Sequence, residues 1–191
     1  MPSAPSCEAP EFALVGALVP AADIAGDTYD YTLDHDTLHL SVTDAMGHDV
    51  SAALMATLLV NASRDARRAG CDLAEQGRQT HEVLLAHGRQ AFATGQLLRI
   101  ALDGTSSQLV NAGHPWPLRL RDGTVDELRP AVNLPFARRE RSASPVSSVT
   151  PAPRTRARSC VLWPPWSPTP GAATRRASHP QGQPPVLCLD W

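Results

Sequence analysis

The chain has 191 residues, 42% of them hydrophobic, with 17 basic side chains, all Arg, against 19 acids and a net charge of −2. That is enough for one domain with a buried core, and without an apolar run of eighteen residues no membrane-spanning helix is expected. The near-neutral total hides a division: residues 1–137 hold nine Arg against seventeen acids, roughly −8, while residues 138–191 hold eight Arg against two acids, roughly +6, which argues against one continuous fold.

In chain order, residues 1–10 are Pro- and Ser-rich and are expected to be disordered. They show no basic region followed by an apolar core, so no secretion signal is predicted. Phe12 to Pro20 alternates loosely and reads as a first strand, so the domain is expected to begin almost at the amino terminus. Asp27 follows the small-residue step Ala25-Gly26 and precedes a strand-like run, Thr28 to Leu33. Asp44 closes a second run, Leu38-His39-Leu40-Ser41-Val42-Thr43, whose alternation is that of a half-buried strand. A turn at Asp34-His35-Asp36 would make the two runs antiparallel and bring Asp27 and Asp44 to one end of a sheet. Two oxygen donors there, without Cys or His, suit a hard divalent cation such as Mg or Mn. Taken singly, each is more simply read as an ordinary turn acid.

Beyond Asp44 the apolar positions Ala53, Ala56, Leu59 and Val60 recur at helical spacing, predicting a helix over Ser51–Ala69 capped by Ser51 or Asp49 and ended by Gly70. A second helix starts at Asp72, with Glu75 at capping-box distance. Short strands follow at Gln96–Leu102, Gln108–Asn111, Pro117–Leu120 and Val125–Leu128. Asp103-Gly104 and Asp122-Gly123 lie between them and read as hairpin turns, not metal ligands. Arg119 and Arg121 read as solvated edge residues.

Four segments, in this order, carry a resemblance. They are Gly26-Asp27-Thr28-Tyr29-Asp30; Val42-Thr43-Asp44-Ala45-Met46-Gly47-His48-Asp49 with the helix that follows; Phe92-Ala93-Thr94-Gly95-Gln96; and Asn111-Ala112-Gly113-His114-Pro115. Together they resemble the SpoIIE-type branch of the PPM metal-dependent protein phosphatases, from about Glu11 to about Phe136. The resemblance implies an α+β fold, an αββα sandwich of two antiparallel sheets flanked by helices, with a two-metal centre at one end. It implies that Asp27, Asp44 and the Ala45 carbonyl hold Mn or Mg. The implied reaction is hydrolysis of phosphoserine or phosphothreonine on a protein by a metal-activated water, with no side-chain nucleophile. The implied substrate is a small phosphorylated anti-sigma-factor antagonist in the cytoplasm. His48 and His114 are secondary candidates as general acids; more simply, His48 packs beside the helix start and His114 orders its turn. Ala25, Ala45 and Asp49 depart mildly from the family pattern.

The larger departure lies downstream, where the resemblance ends at Phe136. Later family members' Thr-Asp-Gly or Ser-Asp-Gly motif and a further metal-binding Asp have no counterpart, since Glu140 and Asp190 are the only acids beyond Ala137. The domain at 11–137 is therefore expected to be partial. Ten of the 18 prolines and three of the four tryptophans fall in 138–191, predicting a disordered Arg/Pro-rich tail of the composition that an out-of-frame or truncated gene product would have. A catalytically inactive remnant, or a scaffold for the same partner, is the competing expectation. The acidic body argues against nucleic acid as partner. Cys7, Cys71, Cys160 and Cys188 form no Cys-x-x-Cys pair, as unpaired thiols of a cytoplasmic chain would.

Overall fold

The computed structural model describes residues 4–18, 26–47, 49–87, 92–121, 123–138, 147–149, 159–162 and 186–190. In chain order the elements are β1 (Ser6–Ala9), β2 (Phe12–Ala17), β3 (Asp27–Asp34), β4 (Thr37–Ala45), α1 (Val50–Arg68), α2 (Leu73–His87), β5 (Ala93–Ala101), β6 (Ser107–Ala112), β7 (Leu118–Arg121), β8 (Thr124–Glu127), β9 (Val132–Asn133), β10 (Ser147–Val149), β11 (Ser159–Leu162) and β12 (Val186–Asp190). They form two sheets, ordered β1-β2-β12-β11-β7-β8 and β10-β6-β5-β4-β3, with β9 joined parallel to β6.

Alternation decides which residues meet between the sheets. Phe12 and Leu14 of β2 join Tyr29, Leu38, Leu40, Val42, Leu98, Ile100 and Leu109 of the second sheet in one buried cluster. Each fully buried Leu here is worth roughly 1.5–3 kcal/mol. The Tyr29 hydroxyl donates to the Gly16 carbonyl at 2.9 Å, tying the sheets together. The other face of the second sheet carries the helices, α1 over β3 and β4, α2 over β5 and β6. Ala52, Met55, Ala56 and Leu59 of α1 and Leu84 of α2 pack there with Ala45, Ala93, Ala112 and Phe136. The fold is α+β as expected, with both described helices on one side of the sandwich.

Both helices begin as their sequences dictate. Asp49 caps α1, its Oδ1 accepting from the Ala52 N–H at 2.9 Å, and Asp72 accepts from the Glu75 N–H at 2.8 Å. Gly70, at φ +79°, closes the α1 end in the left-handed region that glycine reaches without strain.

Two expectations need correction. Residues 6–9, expected to be disordered, form β1, because Cys7 and Ala9 pack on the inter-sheet cluster while the backbone pairs with β2. The tail is also not uniformly aperiodic. β10 pairs with β6, β11 with β7, and β12 with both β11 and β2. These are short Pro-free segments of a Pro-dense region, so no ladder donor is missing within them. Trp163 to Trp166 and Glu140 lie outside the described residues.

Candidate metal centre

The antiparallel register of β3 and β4 sets Asp27 directly opposite Asp44. Side chains so paired have Cβ atoms about 4.5–5.5 Å apart. Asp27 shares its face with Tyr29, and Asp44 with Val42 and Leu40, so both acids stand at one end of the inter-sheet face. Asp30, three residues on from Asp27, points the other way. Its carboxylate is buried under α1 and takes a two-pronged bond from Arg64, Nε to Oδ2 at 2.8 Å and Nη2 to Oδ1 at 2.6 Å. One acid of the Gly26–Asp30 motif thus anchors a helix, and the other is left for the sheet end.

Beside the pair lies the Ala45 backbone. Its N–H donates to the Gly26 carbonyl at 3.2 Å, and its methyl packs among the helix residues. A side chain at position 26 would collide with it: a Cβ on Gly26 would sit 2.2 Å from the Ala45 oxygen. Glycine is therefore required at 26 for space, the Ala45 carbonyl oxygen being the nearest obstacle and the Ala45 methyl carbon the next but one, at 3.2 Å.

Among the described residues, neither Asp27 nor Asp44 has an ion-pair or side-chain hydrogen-bond partner. Burial raises the pKa of both. For Asp44 it reaches about 6, with burial as the larger cause and the Asp27 charge as the second. Two facing carboxylates without a cation are an electrostatic cost that a divalent ion would remove. The donor set fits that ion: two carboxylates and a backbone carbonyl, all hard oxygens. Mg commonly takes one or two carboxylates and keeps water on its other positions. No group of three or more His, Cys, Asp or Glu side chains that could hold a metal ion occurs among the described residues.

On its other flank Asp44 faces Thr94, its register partner on β5. The Thr94 hydroxyl is hydrogen-bonded to His114 Nδ1 at 2.9 Å, and both residues are buried. Burial lowers the His114 pKa to about 4, so the ring is neutral at pH 7. Asn111 clamps the His114 backbone from both sides, accepting from its N–H at 2.8 Å and donating to its carbonyl at 2.9 Å. Gln96 donates to the Pro115 carbonyl at 2.7 Å. A buried, neutral imidazole engaged at Nδ1 is placed to order its turn. His48 lies outside the described residues.

The first Asp-Gly pair falls elsewhere. Asp103 accepts from the Thr105 N–H and hydroxyl in the β5–β6 turn, at the sheet end opposite Asp27 and Asp44. Asp122 lies outside the described residues, beside Gly123 at φ +75° in the β7–β8 hairpin. Arg119 is not merely solvated; it pairs with Asp126 across that hairpin at 2.6 Å. In the sequence, Thr94, Gln96 and Asn111 stand out only as parts of motifs. Their common position shows once β4, β5 and β6 are aligned, with Asp44 opposite Thr94 and Gln96 opposite Asn111.

Solved structures share this fold. The RsbU and RsbW domains of a Mycobacterium tuberculosis protein superpose with TM-score 0.69 at 24% identity, over 83% of this chain and 43% of that one. The PP2C phosphatase domain of SpoIIE from Bacillus subtilis, with a fragment of its regulatory domain, gives 0.75 at 15% identity, over 94% and 63%. RsbX in complex with magnesium gives 0.69 at 11%, over 97% and 98%. The chain thus spans less than two thirds of the first two structures. Comparison with curated proteins finds no match. The family model of Stage II sporulation protein E (SpoIIE) matches residues 34–156, a stretch that holds Asp44, Thr94 and His114 and continues past Phe136. With more than half of its length matched by that model, the chain belongs to the SpoIIE family.

Proposed function

We propose that this chain hydrolyses phosphoserine or phosphothreonine on a regulatory protein, using divalent cations held by Asp27, Asp44 and the Ala45 carbonyl. The observation that carries the reading is the facing pair Asp27 and Asp44, neither with an ion-pair partner among the described residues, at a sheet end of a SpoIIE-family chain. When bound, Mn or Mg would supply Lewis acidity and an activated water for attack on phosphorus. The chain's own part is to bring two negative charges together, to hold the ion against Ala45, and to keep the backbone close through Gly26. His114 supplies no proton in this scheme, because its ring is buried and neutral.

A small phosphorylated anti-sigma-factor antagonist in the cytoplasm is the substrate we favour, as the likeness to RsbU and RsbX domains supports a protein partner. No described helix is long and apolar enough to cross a membrane. The test is turnover of a phosphoserine protein by the full chain with and without Mn, alongside calorimetric Mn titration. Micromolar Mn binding with Mn-dependent phosphate release is the expected result.

A second reading is an inactive scaffold that binds the same partner without hydrolysing it. It is favoured by the acid count, only two facing carboxylates among the described residues. Absence of Mn binding with retained partner binding would select it. The nucleotide sequence around codons 134–140 then tells whether further carboxylates are encoded in another frame.

A further inference from the structure

The inter-sheet face changes character along its length. At one end it is Leu38, Leu40, Leu98, Ile100 and Leu109; at the other it is Thr94, Gln96 and Asn111, these three at most 6% exposed. Buried polar groups that satisfy one another contribute little more than well-packed apolar side chains, and cost heavily if one partner is lost. Nothing in the packing of the strands demands them, since the same strands carry Leu two and four residues away. They concentrate beside Asp44, and the bonds run toward it. Asn111 holds the His114 backbone, Gln96 holds Pro115, and the His114 ring holds Thr94, the residue opposite Asp44.

We propose that His114 and Thr94 are a positioning pair that fixes the side chain of Asp44. The Thr94 hydroxyl, held at 2.9 Å by His114 Nδ1, cannot rotate freely. Its methyl and hydroxyl therefore present one fixed surface to the carboxylate across the ladder, whose Cβ lies about 5 Å away. That surface restricts Asp44 to one staggered χ1 well. A carboxylate already in its binding rotamer loses less entropy when it takes a cation, which is how supporting residues usually act on ligands. The inference rests on the cation reading for its purpose, though not for its geometry.

Two measurements on the full chain test it. Three-bond couplings of the Asp44 Cβ protons report χ1 in the metal-free protein. One staggered rotamer is expected for the unaltered chain, averaged couplings for Thr94→Val and His114→Phe, and restoration by Thr94→Ser. In parallel, the Mn dissociation constant should rise about tenfold in Thr94→Val and return in Thr94→Ser. Unchanged Asp44 couplings in Thr94→Val overturn the proposal whatever the metal does. If the unaltered chain binds no Mn yet its couplings respond as stated, the positioning pair stands and the cation reading falls. Should His114→Phe lose its native amide spectrum, the Thr94 variants decide alone.

Discussion

The two halves of the inter-sheet face are built on the same strands with the same alternation, yet serve different ends. From Leu38 to Leu40 on β4, and Leu98 to Ile100 on β5, every inward residue is apolar and buried, and the gain is cohesion. Two residues past Val42 the inward position is Asp44, facing Asp27 on one side and Thr94 on the other. Here the chain accepts two carboxylates with raised pKa values and a buried imidazole held neutral. The difference teaches that the stable half supports an unfavourable one, a common arrangement where a site must bind an ion.

The comparison breaks most visibly if the stable half is hollowed out. Leu38 is fully buried, and Leu38→Ala should cost about 3–5 kcal/mol in urea unfolding. A cost below about 1 kcal/mol would mean that this end does not carry the fold. Next comes the polar half. Asp27→Asn and Asp44→Asn should each reduce Mn-dependent phosphate release by more than about 100-fold, roughly 2.7 kcal/mol, while leaving the metal-free fold intact. Equal turnover in both variants would remove these acids from the site.

A pH series sharpens the electrostatic side. Asp44 titrates at about 6 when folded against 3.8 for its ordinary value, so within that window the folded chain retains a proton that the unfolded chain has released. Its contribution to stability is therefore present below pH 4 and lost as pH rises toward 6. Metal-free Asp44→Asn lacks this loss, so its stability relative to the unaltered chain should improve across pH 4–6; saturating Mn should reverse that difference, because only the unaltered chain gains binding energy from the ion. A smaller effect is expected at Gly26→Ala, whose methyl would come 2.2 Å from the Ala45 oxygen. Mn affinity should fall about tenfold, with 1–3 kcal/mol of strain. Smallest is Asp49→Ala, which removes the α1 cap and should cost about 1 kcal/mol without changing Mn affinity. A large loss of Mn affinity there would move the boundary of the site into the helix start.

Much of this was legible before any coordinates. Alternation in Leu38 to Thr43 gave β4, helical spacing with Asp49 and Gly70 gave α1, and the strand ends put Asp27 and Asp44 together. What escaped was of two kinds. Cys7 to Ala9 and the Pro-free pieces of the tail are too short to show a period, and they become strands by pairing with partners far along the chain. Thr94, Asn111 and His114 are individually ordinary, and only the register of β4, β5 and β6 gathers them around Asp44.

Local sequence determined which segments become strands and helices, where they start and stop, and which acids stand at strand ends, because those outcomes depend on side-chain period, caps and turn residues a few positions apart. Tertiary structure alone decided that Asp30 is paired with Arg64 while Asp27 has no such partner among the described residues, and that a buried histidine holds Thr94, the residue opposite Asp44. The reason is physical: charge pairing and desolvation depend on neighbours through space, and those neighbours are 34 and 20 residues away along the chain in the Asp30–Arg64 and Thr94–His114 contacts.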